Sequence, residues 1–312
     1  MGVLTRAIAL LCIGVAAAQT AGTSRNITLA SGRTYLLHVP ADYNASCSHP
    51  LVLSFHGADG TSTKQERLSQ LSTDGLKIGG LPILAAYPQG VPNTTAGHSA
   101  TWYSAPYANN TVDDVQFTKD ILTDVSANFS VNPARIYASG KSNGGGFTAY
   151  LACRPDTSLI FAAFAPVSPA LYPESLAFSG CNPSRPIPLI NSHGVVDQTI
   201  PFYGRNDSKT GLYGVGTSTI NVPQWREEWA IRNGCPNGNA TRTTMPYNQT
   251  IEQVWRCDEP VEAFTVANLG HSWPTTLGLD TSGGINSTAS FNLTAPKLVH
   301  FFSQHSLNLD CD

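Results

Sequence analysis

The segment around Ser142 restricts the fold of this chain more than any other. Residues 135–138 form a short apolar run, residues 144–153 have helical periodicity, and between them stands Gly140-Lys141-Ser142-Asn143-Gly144. A strand, a Gly-x-Ser-x-Gly turn and a helix in this order are typical of a nucleophile elbow, in which a sharp turn presents the serine hydroxyl at the edge of a sheet. Glycines on both sides of the serine avoid collisions with neighbouring backbone. The segment therefore predicts a nucleophilic Ser142.

The rest of the chain alternates apolar runs with helical segments. Continuous rather than alternating apolarity is typical of strands that are buried on both faces, as in a parallel sheet. The pattern predicts an α/β fold with a mostly parallel central sheet flanked by helices, and the elbow at Ser142 makes it an expected α/β-hydrolase. The predicted strands are 35–39, 51–55, 83–87, 135–138, 161–167, 187–192 and 261–269, the predicted helices are 113–129, 144–153, 224–232 and 295–306, and 241–258 is predicted to be a hairpin.

A serine nucleophile needs a base and an orienting acid, which follow it in this fold in the order Asp or Glu, then His. Asp197 follows the predicted strand 187–192, and His271 follows the predicted strand 261–269. Both therefore belong at the carboxyl edge of the sheet, beside Ser142. His193 shares the loop of Asp197 and is a competing base, whereas Asp156 and Asp207 are weaker candidates for the acid because no strand precedes them.

The loop after the strand 51–55 predicts part of an oxyanion hole. Its sequence is His56-Gly57-Ala58, and Gly57 allows the backbone to approach a substrate oxygen. We expect the N–H groups of Ala58 and Asn143 to be the two donors, with His56 bracing the loop. Trp102 and Trp273 are the candidate substrate-binding aromatics, and no residue pattern predicts a metal or a cofactor.

The first 18 residues have the pattern of a secretory signal peptide. A single positive charge precedes the apolar run 7–18, which ends in Ala16-Ala17-Ala18. About a dozen apolar residues are too few to span a membrane, which needs roughly 20. We therefore expect a secreted protein with no membrane anchor, whose residues 19–312 form a single catalytic domain beginning at Gln19.

Six cysteines remain after residue 18, an even number that suits disulfides in a secreted protein. The sequence alone leaves their connectivity open. Cys153–Cys181 and Cys235–Cys257 are the simplest local pairs, and they leave Cys47–Cys311 by elimination. Zinc binding is the rival interpretation, but no Cys-x-x-Cys pair or adjacent Cys and His supports it.

Few residues are charged, and many asparagines lie in glycosylation motifs. Charged residues are 12% of the chain, against roughly 25% in typical domains, and the formal net charge is −3. With no basic run, nucleic acid is not an expected partner. Asn-X-Ser/Thr motifs predict a glycosylated surface, and they begin at Asn26, Asn44, Asn93, Asn109, Asn128, Asn206, Asn239, Asn248, Asn286 and Asn292.

Six motifs follow one another along the chain. They are Phe55-His56-Gly57-Ala58-Asp59-Gly60, Tyr87-Pro88-Gln89-Gly90, Gly140-Lys141-Ser142-Asn143-Gly144-Gly145-Gly146, Ala165-Pro166-Val167-Ser168, His193-Gly194-x-x-Asp197-x-x-Ile200-Pro201 and Gly270-His271-x-Trp273-Pro274. Together they resemble the secreted fungal feruloyl esterases, within a group that also includes acetylxylan esterases and polyhydroxybutyrate depolymerase-like enzymes. The resemblance implies a Ser142, Asp197 and His271 triad and the release of hydroxycinnamic acids from plant cell-wall polysaccharide or feruloylated oligosaccharide. We expect a monomer, and the remaining alternatives are an acetylxylan or polyester esterase and a non-catalytic wall-binding protein.

Overall fold

A computed structural model describes residues 21–205 and 218–309. Its described strands are β1 (Thr23–Thr28), β2 (Thr34–Val39), β3 (His49–Phe55), β4 (Lys77–Ile78), β5 (Leu81–Pro82), β6 (Leu84–Pro88), β7 (Val91–Asn93), β8 (His98–Thr101), β9 (Val131–Lys141), β10 (Ala163–Val167), β11 (Leu189–Gly194), β12 (Arg242–Tyr247), β13 (Thr250–Trp255) and β14 (Val261–Val266). Ten of these described strands form one sheet in the order β1-β2-β6-β3-β9-β10-β11-β14-β13-β12. The two pairs β4-β5 and β7-β8 stand apart from it.

The centre of the large sheet is parallel and its edges are antiparallel. Each neighbouring pair from β6 to β14 runs parallel, while β1, β2, β12 and β13 pair antiparallel at the two sides. The predicted α/β-hydrolase sheet is therefore confirmed. The carboxyl ends of β3, β9, β11 and β14 come to one edge, which is where the loops carrying the predicted site begin.

Helices cover both faces of this sheet. They are α1 (Ser62–Ser69), α2 (Asp114–Asn128), α3 (Asn143–Cys153), α4 (Pro173–Leu176), α5 (Val222–Arg232) and α6 (Val299–Gln304), with an irregular helical turn at Leu293–Leu298 and short 3₁₀ turns at Thr94–Ala96, Thr157–Leu159, Phe178–Gly180 and Thr281–Asn286. Buried side chains of α2, α3 and α5 pack on one face, and those of α1 and α6 pack on the other. Burial on both faces explains the continuous apolarity of the central strands.

The predicted elements agree with the structure except at several ends. The helix predicted over 113–129 is α2, whose first turn is capped by Asp113 accepting a hydrogen bond from Gln116 N. The predicted hairpin is β12 and β13, and it extends the large sheet beside β14. The predicted helix 295–306 is regular only in α6, because the preceding turn includes Pro296, which lacks the N–H that an α-helix requires.

Two of the three predicted disulfides are present. Cys153 is bonded to Cys181 and Cys235 to Cys257. Cys47 forms no disulfide with any described residue, and Cys311 lies outside the described residues. The pair Cys47–Cys311 therefore stays a prediction.

Three other predictions also fall on undescribed positions. The predicted signal peptide and the motif asparagine Asn206 lie outside the described residues, as does Asp207, the weak alternative acid. Across 21–205 and 218–309, no helix has the length and apolarity needed to cross a membrane.

Candidate active site

Ser142 occupies the sharp turn between β9 and α3. Its φ of 57° and ψ of −121° are unfavourable for a residue with a side chain, as expected of a nucleophile elbow. A Cβ on Gly144 would lie 2.3 Å from Phe55 O, and one on Gly140 would lie 2.3 Å from Gly144 O. The turn can therefore close against β3 only because both positions are glycine.

The structure brings the three predicted side chains together in a chain of hydrogen bonds. Ser142 Oγ lies 2.8 Å from His271 Nε2, and His271 Nδ1 lies 2.7 Å from Asp197 Oδ2. The other carboxylate oxygen of Asp197 accepts hydrogen bonds from Thr199 N at 2.9 Å and Ile200 N at 2.8 Å. Asp197 is thereby fixed with one oxygen toward His271, whose opposite nitrogen is placed to accept the hydroxyl proton of Ser142.

The charges of the site favour an ionised Asp197 and a neutral His271. Burial opposes ionisation of Asp197, but the charge of His271 and hydrogen bonds from His193 and His271 outweigh it and hold the pKa of Asp197 well below its usual range. Burial and the nearby Lys141 ammonium lower the pKa of His271, against the opposing effect of Asp197. A neutral imidazole is the form that can take a proton from Ser142.

The two predicted oxyanion donors lie on either side of Ser142. Asn143 N is at the amino end of α3, and neither it nor Ala58 N donates a hydrogen bond to another described residue. A Cβ on Gly57 would lie 3.1 Å from Ser142 Cβ, so this glycine lets the Ala58 loop come close to the nucleophile. These N–H groups are free to bind the oxygen of a substrate carbonyl.

The His56 side chain links the loop of Gly57 and Ala58 to the loop of Gly90. Its Nδ1 lies 2.7 Å from Gly57 O, and its Nε2 accepts a hydrogen bond from Gly90 N at 3.0 Å. Complete burial lowers the pKa of His56 to about 4. The side chain is thus a neutral link between two loops, in agreement with its expected role.

A cavity of about 180 Å³ opens over Ser142, and a second hollow of about 390 Å³ lies on the other side of His271. No Phe, Tyr or Trp lines either space among the described residues. The cavity is lined by His56, Gly57, Ala58, Gly60, Lys64, Gln65, Leu68, Lys141, Ser142, Thr199, His271, Asp280 and Ser282. Small and polar groups therefore surround the nucleophile.

The predicted substrate-binding tryptophans do not reach this cavity. Trp102 is 0% exposed and packs against Phe55 and Phe147 in the core, while Trp273 is 1% exposed. The backbone of Trp102 exchanges two hydrogen bonds with the Asn143 side chain, at 2.8 and 3.1 Å. Their large apolar surfaces are buried for packing, so the expectation that they bind substrate does not fit the structure.

His193, the competing base, approaches the same carboxylate oxygen of Asp197 as His271 does. Its Nε2 is 3.2 Å from Asp197 Oδ2 and 2.9 Å from Ile200 O, and its Nδ1 has no hydrogen-bond partner among the described residues. Two oxygen atoms beside Nε2 require a proton there. His193 therefore donates to Ile200 O beside the carboxylate, and no hydrogen bond joins it to Ser142.

A buried ion pair supports the loop of His271, and the sequence analysis did not predict it. Lys141 Nζ lies 3.2 Å from Asp280 Oδ2 and 2.6 Å from Ser282 Oγ. Asp280 Oδ2 also accepts a hydrogen bond from Trp273 N at 2.9 Å, two residues beyond His271. Asp280 lies in an irregular segment with no strand before it, so no sequence signal marked it.

Comparison with known proteins places this arrangement among ester hydrolases. No family model matches the chain. Feruloyl esterase B of Piromyces equi is 27% identical over 240 residues, which cover 77% of this chain and 42% of that protein. A probable feruloyl esterase C of Aspergillus clavatus is 26% identical over 294 residues, or 90% of this chain and 93% of the relative. A bifunctional acetylxylan esterase/xylanase of Neocallimastix patriciarum is 28% identical over 249 residues, or 76% of this chain and 31% of the relative.

A solved structure agrees with the fold. A ferulic acid esterase of Anaeromyces mucronatus superposes with a TM-score of 0.52 at 13% identity, covering 91% of this chain and 90% of that one. The protein has the α/β-hydrolase fold. Its relatives are named as feruloyl and acetylxylan esterases, which supports a carboxylic ester hydrolase, and the resemblance predicted from the motifs is confirmed at the level of this group.

Proposed function

We propose that this protein is a serine carboxylesterase that hydrolyses feruloyl esters on plant cell-wall polysaccharide, with Ser142, His271 and Asp197 as its catalytic triad. The observation that carries the proposal is the continuous hydrogen-bonded chain from Ser142 Oγ through His271 to Asp197. The chain stands beside two N–H groups that lack protein acceptors among the described residues. A nucleophile, a base and an anion site in this order are the requirements of ester hydrolysis.

The reaction has two steps. Ser142 Oγ attacks the ester carbonyl while His271 Nε2 takes the hydroxyl proton, and the N–H groups of Ala58 and Asn143 hold the resulting oxyanion. His271 then gives the proton to the departing sugar alcohol, which leaves an acyl group on Ser142. Water, deprotonated by the same histidine, hydrolyses this acyl-enzyme and releases the acid. Asp197 stays ionised throughout and stabilises the protonated His271.

A second candidate acyl group is acetate. The relatives include an acetylxylan esterase/xylanase, and the described lining of the cavity over Ser142 is mostly small and polar, with Leu68 but without Phe, Tyr or Trp. Such a cavity favours a short acyl group, whereas a feruloyl ring would extend along the hollow beyond His271 and contact the exposed Ile285 and Val196. Both candidates share one mechanism and differ only in the group transferred.

One assay separates these candidates and tests the mechanism. Hydrolysis of methyl ferulate, acetylated xylan and short hydroxyalkanoate oligomers is measured in parallel, and the feruloyl proposal expects the highest kcat/KM on methyl ferulate. Ser142→Ala removes the nucleophile and should lower kcat on the order of 10⁴-fold or more, with an unchanged melting temperature. A preference for acetylated xylan would replace feruloyl with acetyl, and near-normal hydrolysis by Ser142→Ala would sink the proposed mechanism.

The remaining proposals concern the whole protein. We propose that residues 1–18 direct secretion, that residues 19–312 form one catalytic domain, and that the protein acts as an extracellular monomer. The esterase relatives and the two disulfides support an extracellular enzyme. Amino-terminal sequencing of the exported protein, with a mass measurement in solution, tests all three.

A further inference from the structure

A groove on the outer side of α3 lies apart from the cavity over Ser142. Two hollows of about 570 and 390 Å³ share Tyr103, Asn110 and Tyr150 as lining residues, and we call the pair of hollows the tyrosine groove. It has no lining residue in common with the cavity over Ser142. The buried Trp102, whose Nε1 donates to His56 O at 2.9 Å, lies between Tyr103 and the oxyanion loop.

Two tyrosine rings form the centre of the groove. Tyr103 is 43% exposed, and its ring centroid lies 5.2 Å from that of the half-buried Tyr150. The Tyr103 backbone is held, because Tyr103 N donates to the buried Asp114 at 2.9 Å, and the Tyr150 ring is held, because its Oη accepts a hydrogen bond from Arg154 at 3.2 Å. A ring that is already held in place loses little conformational entropy when a ligand binds.

Two carboxylates, those of Asp113 and Glu174, line the groove together with Asn110. Asp113 Oδ1 accepts a hydrogen bond from Gln116 N at 2.8 Å, and no ion pair joins Glu174 to another described residue. Arg154 is the basic residue of the lining, and it is already paired with Asp156 at 2.9 Å. The groove therefore presents unpaired negative charge, which repels an anionic ligand and accepts hydrogen bonds from hydroxyl groups.

We propose that the tyrosine groove is a binding site for a neutral sugar chain, separate from the catalytic centre. The faces of aromatic rings carry partial negative charge and attract the C–H groups on the flat side of a pyranose ring. The carboxylates of Asp113 and Glu174 then accept hydrogen bonds from its hydroxyls. The site would hold the polysaccharide backbone while an ester elsewhere on the chain reaches Ser142. This proposal does not depend on which acyl group the enzyme removes.

Calorimetric titration with xylohexaose tests the site, because this ligand carries no ester. Tyr103→Ala and Tyr150→Ala should each weaken binding by about three- to tenfold, equivalent to roughly 0.6–1.4 kcal/mol, since each removes one of the two rings that would contact the sugar. Tyr203→Ala is the matched control, since Tyr203 is 68% exposed and outside the groove, and it should bind as the parent does. The protein is first trimmed with an endoglycosidase, because the predicted glycosylation site Asn109 adjoins Asn110.

Two further measurements separate this proposal from the catalytic one. Ser142→Ala should retain full affinity for xylohexaose, and an oligogalacturonate of equal length should not bind. The tyrosine variants should keep the parent kcat/KM on 4-nitrophenyl acetate, which shows that they are folded. Equal affinity of the Tyr103→Ala/Tyr150→Ala double variant and Tyr203→Ala would overturn the site, whatever the enzyme hydrolyses. If the tyrosine variants lose xylohexaose binding but the parent protein has no xylan esterase activity, the site is supported and the proposed function is rejected.

Discussion

At the scale of single residues, two histidines approach Asp197 Oδ2, and one of the two reaches Ser142. His271 is hydrogen-bonded to both the carboxylate and the serine, whereas His193 Nε2 lies 3.2 Å from the carboxylate. Thr199 N and Ile200 N donate to the other carboxylate oxygen. Such a set keeps Asp197 ionised and fixes its orientation toward His271.

Replacing His193 separates positioning from base catalysis. His193→Phe keeps a ring of similar shape but removes the Nε2–H group beside Asp197, so we expect kcat to fall about tenfold with little change in KM. His271→Ala removes the base itself and should lower kcat by about 10³-fold or more. Steady-state kinetics on a soluble ester compares the two. Equal losses in both variants would mean that His193 has a larger role than positioning.

The pH dependence of activity should reflect the charge of Lys141. The base must be neutral, so kcat/KM is full above the pKa of His271 and falls as the pH drops through it. Burial and Lys141 both lower this pKa, which places the acidic limb below the ordinary value of 6.5 for histidine. Lys141→Met removes one lowering effect and leaves Asp280 unpaired, so the limb should move to higher pH.

The controls for this prediction use the same ion pair and a distant lysine. Lys141→Met/Asp280→Asn removes both charges and should move the limb less than Lys141→Met does, because Asp280 raises the pKa of His271. Lys77→Met removes an exposed lysine that lies near Asp42 and should leave the profile unchanged. An acidic limb that stays in place in Lys141→Met would show that the ammonium does not act on His271.

At the scale of elements, α3 is held at both ends. Its amino end is locked into the turn by Gly144 against Phe55 O, and its last residue, Cys153, is bonded to Cys181. Asn182 N also donates to Cys153 O at 2.9 Å. The helix that presents Ser142 is therefore fixed to β3 at one end and to the segment before β11 at the other.

Removing this disulfide should destabilise the protein without altering the site. Cys153→Ala/Cys181→Ala opens a loop with a sequence separation of 28, so the free energy of unfolding should fall by about 3–4 kcal/mol in the chain-entropy model. Cys235→Ala/Cys257→Ala, with a separation of 22, is a matched comparison and should lose nearly the same amount. Urea unfolding measures both. No loss in the first variant would show that packing alone holds the carboxyl end of α3.

At the scale of the whole molecule, the low charge is compatible with a surface solvated by glycans. The chain has 18 Lys and Arg against 21 Asp and Glu. Glycosylation-motif asparagines with exposed side chains are Asn26, Asn44, Asn128, Asn239 and Asn248. Asn93 differs, because its Nδ2 donates to Tyr107 O at 3.1 Å and Ala108 O at 3.2 Å.

These surroundings predict which motifs carry glycans. In protein exported from a glycosylating yeast, we expect Asn44 and Asn239 to be occupied and Asn93 to be unmodified, since a glycan on Asn93 Nδ2 would replace one of its two amide hydrogens and so remove one of these hydrogen bonds. Peptide mass spectrometry after enzymatic release of the glycans in ¹⁸O water reports occupancy at each asparagine. A high occupancy of Asn93 would contradict the structure of this loop.

The sequence by itself determined the features that depend on neighbouring residues. The turn at Ser142 follows from glycines at fixed positions, the parallel sheet follows from continuous apolar strands, and the short spacings of Cys153–Cys181 and Cys235–Cys257 favoured local pairing. Strand ends also located the loops of Asp197 and His271, because the ends of parallel strands share one edge of a sheet. Each of these signals comes from residues that are close together in the sequence or from the regular spacing of apolar residues along a strand or helix.

Only the tertiary structure decided what depends on distant residues meeting. It showed that His271 rather than His193 reaches Ser142, that Trp102 is buried, and that Asp280 pairs with Lys141. It also placed Tyr103 beside Tyr150 on a groove that no motif marks. The period of a strand or helix says which face is apolar, but not which neighbour covers that face. Side chains far apart in sequence therefore acquire their roles only when the sheet and its helices pack.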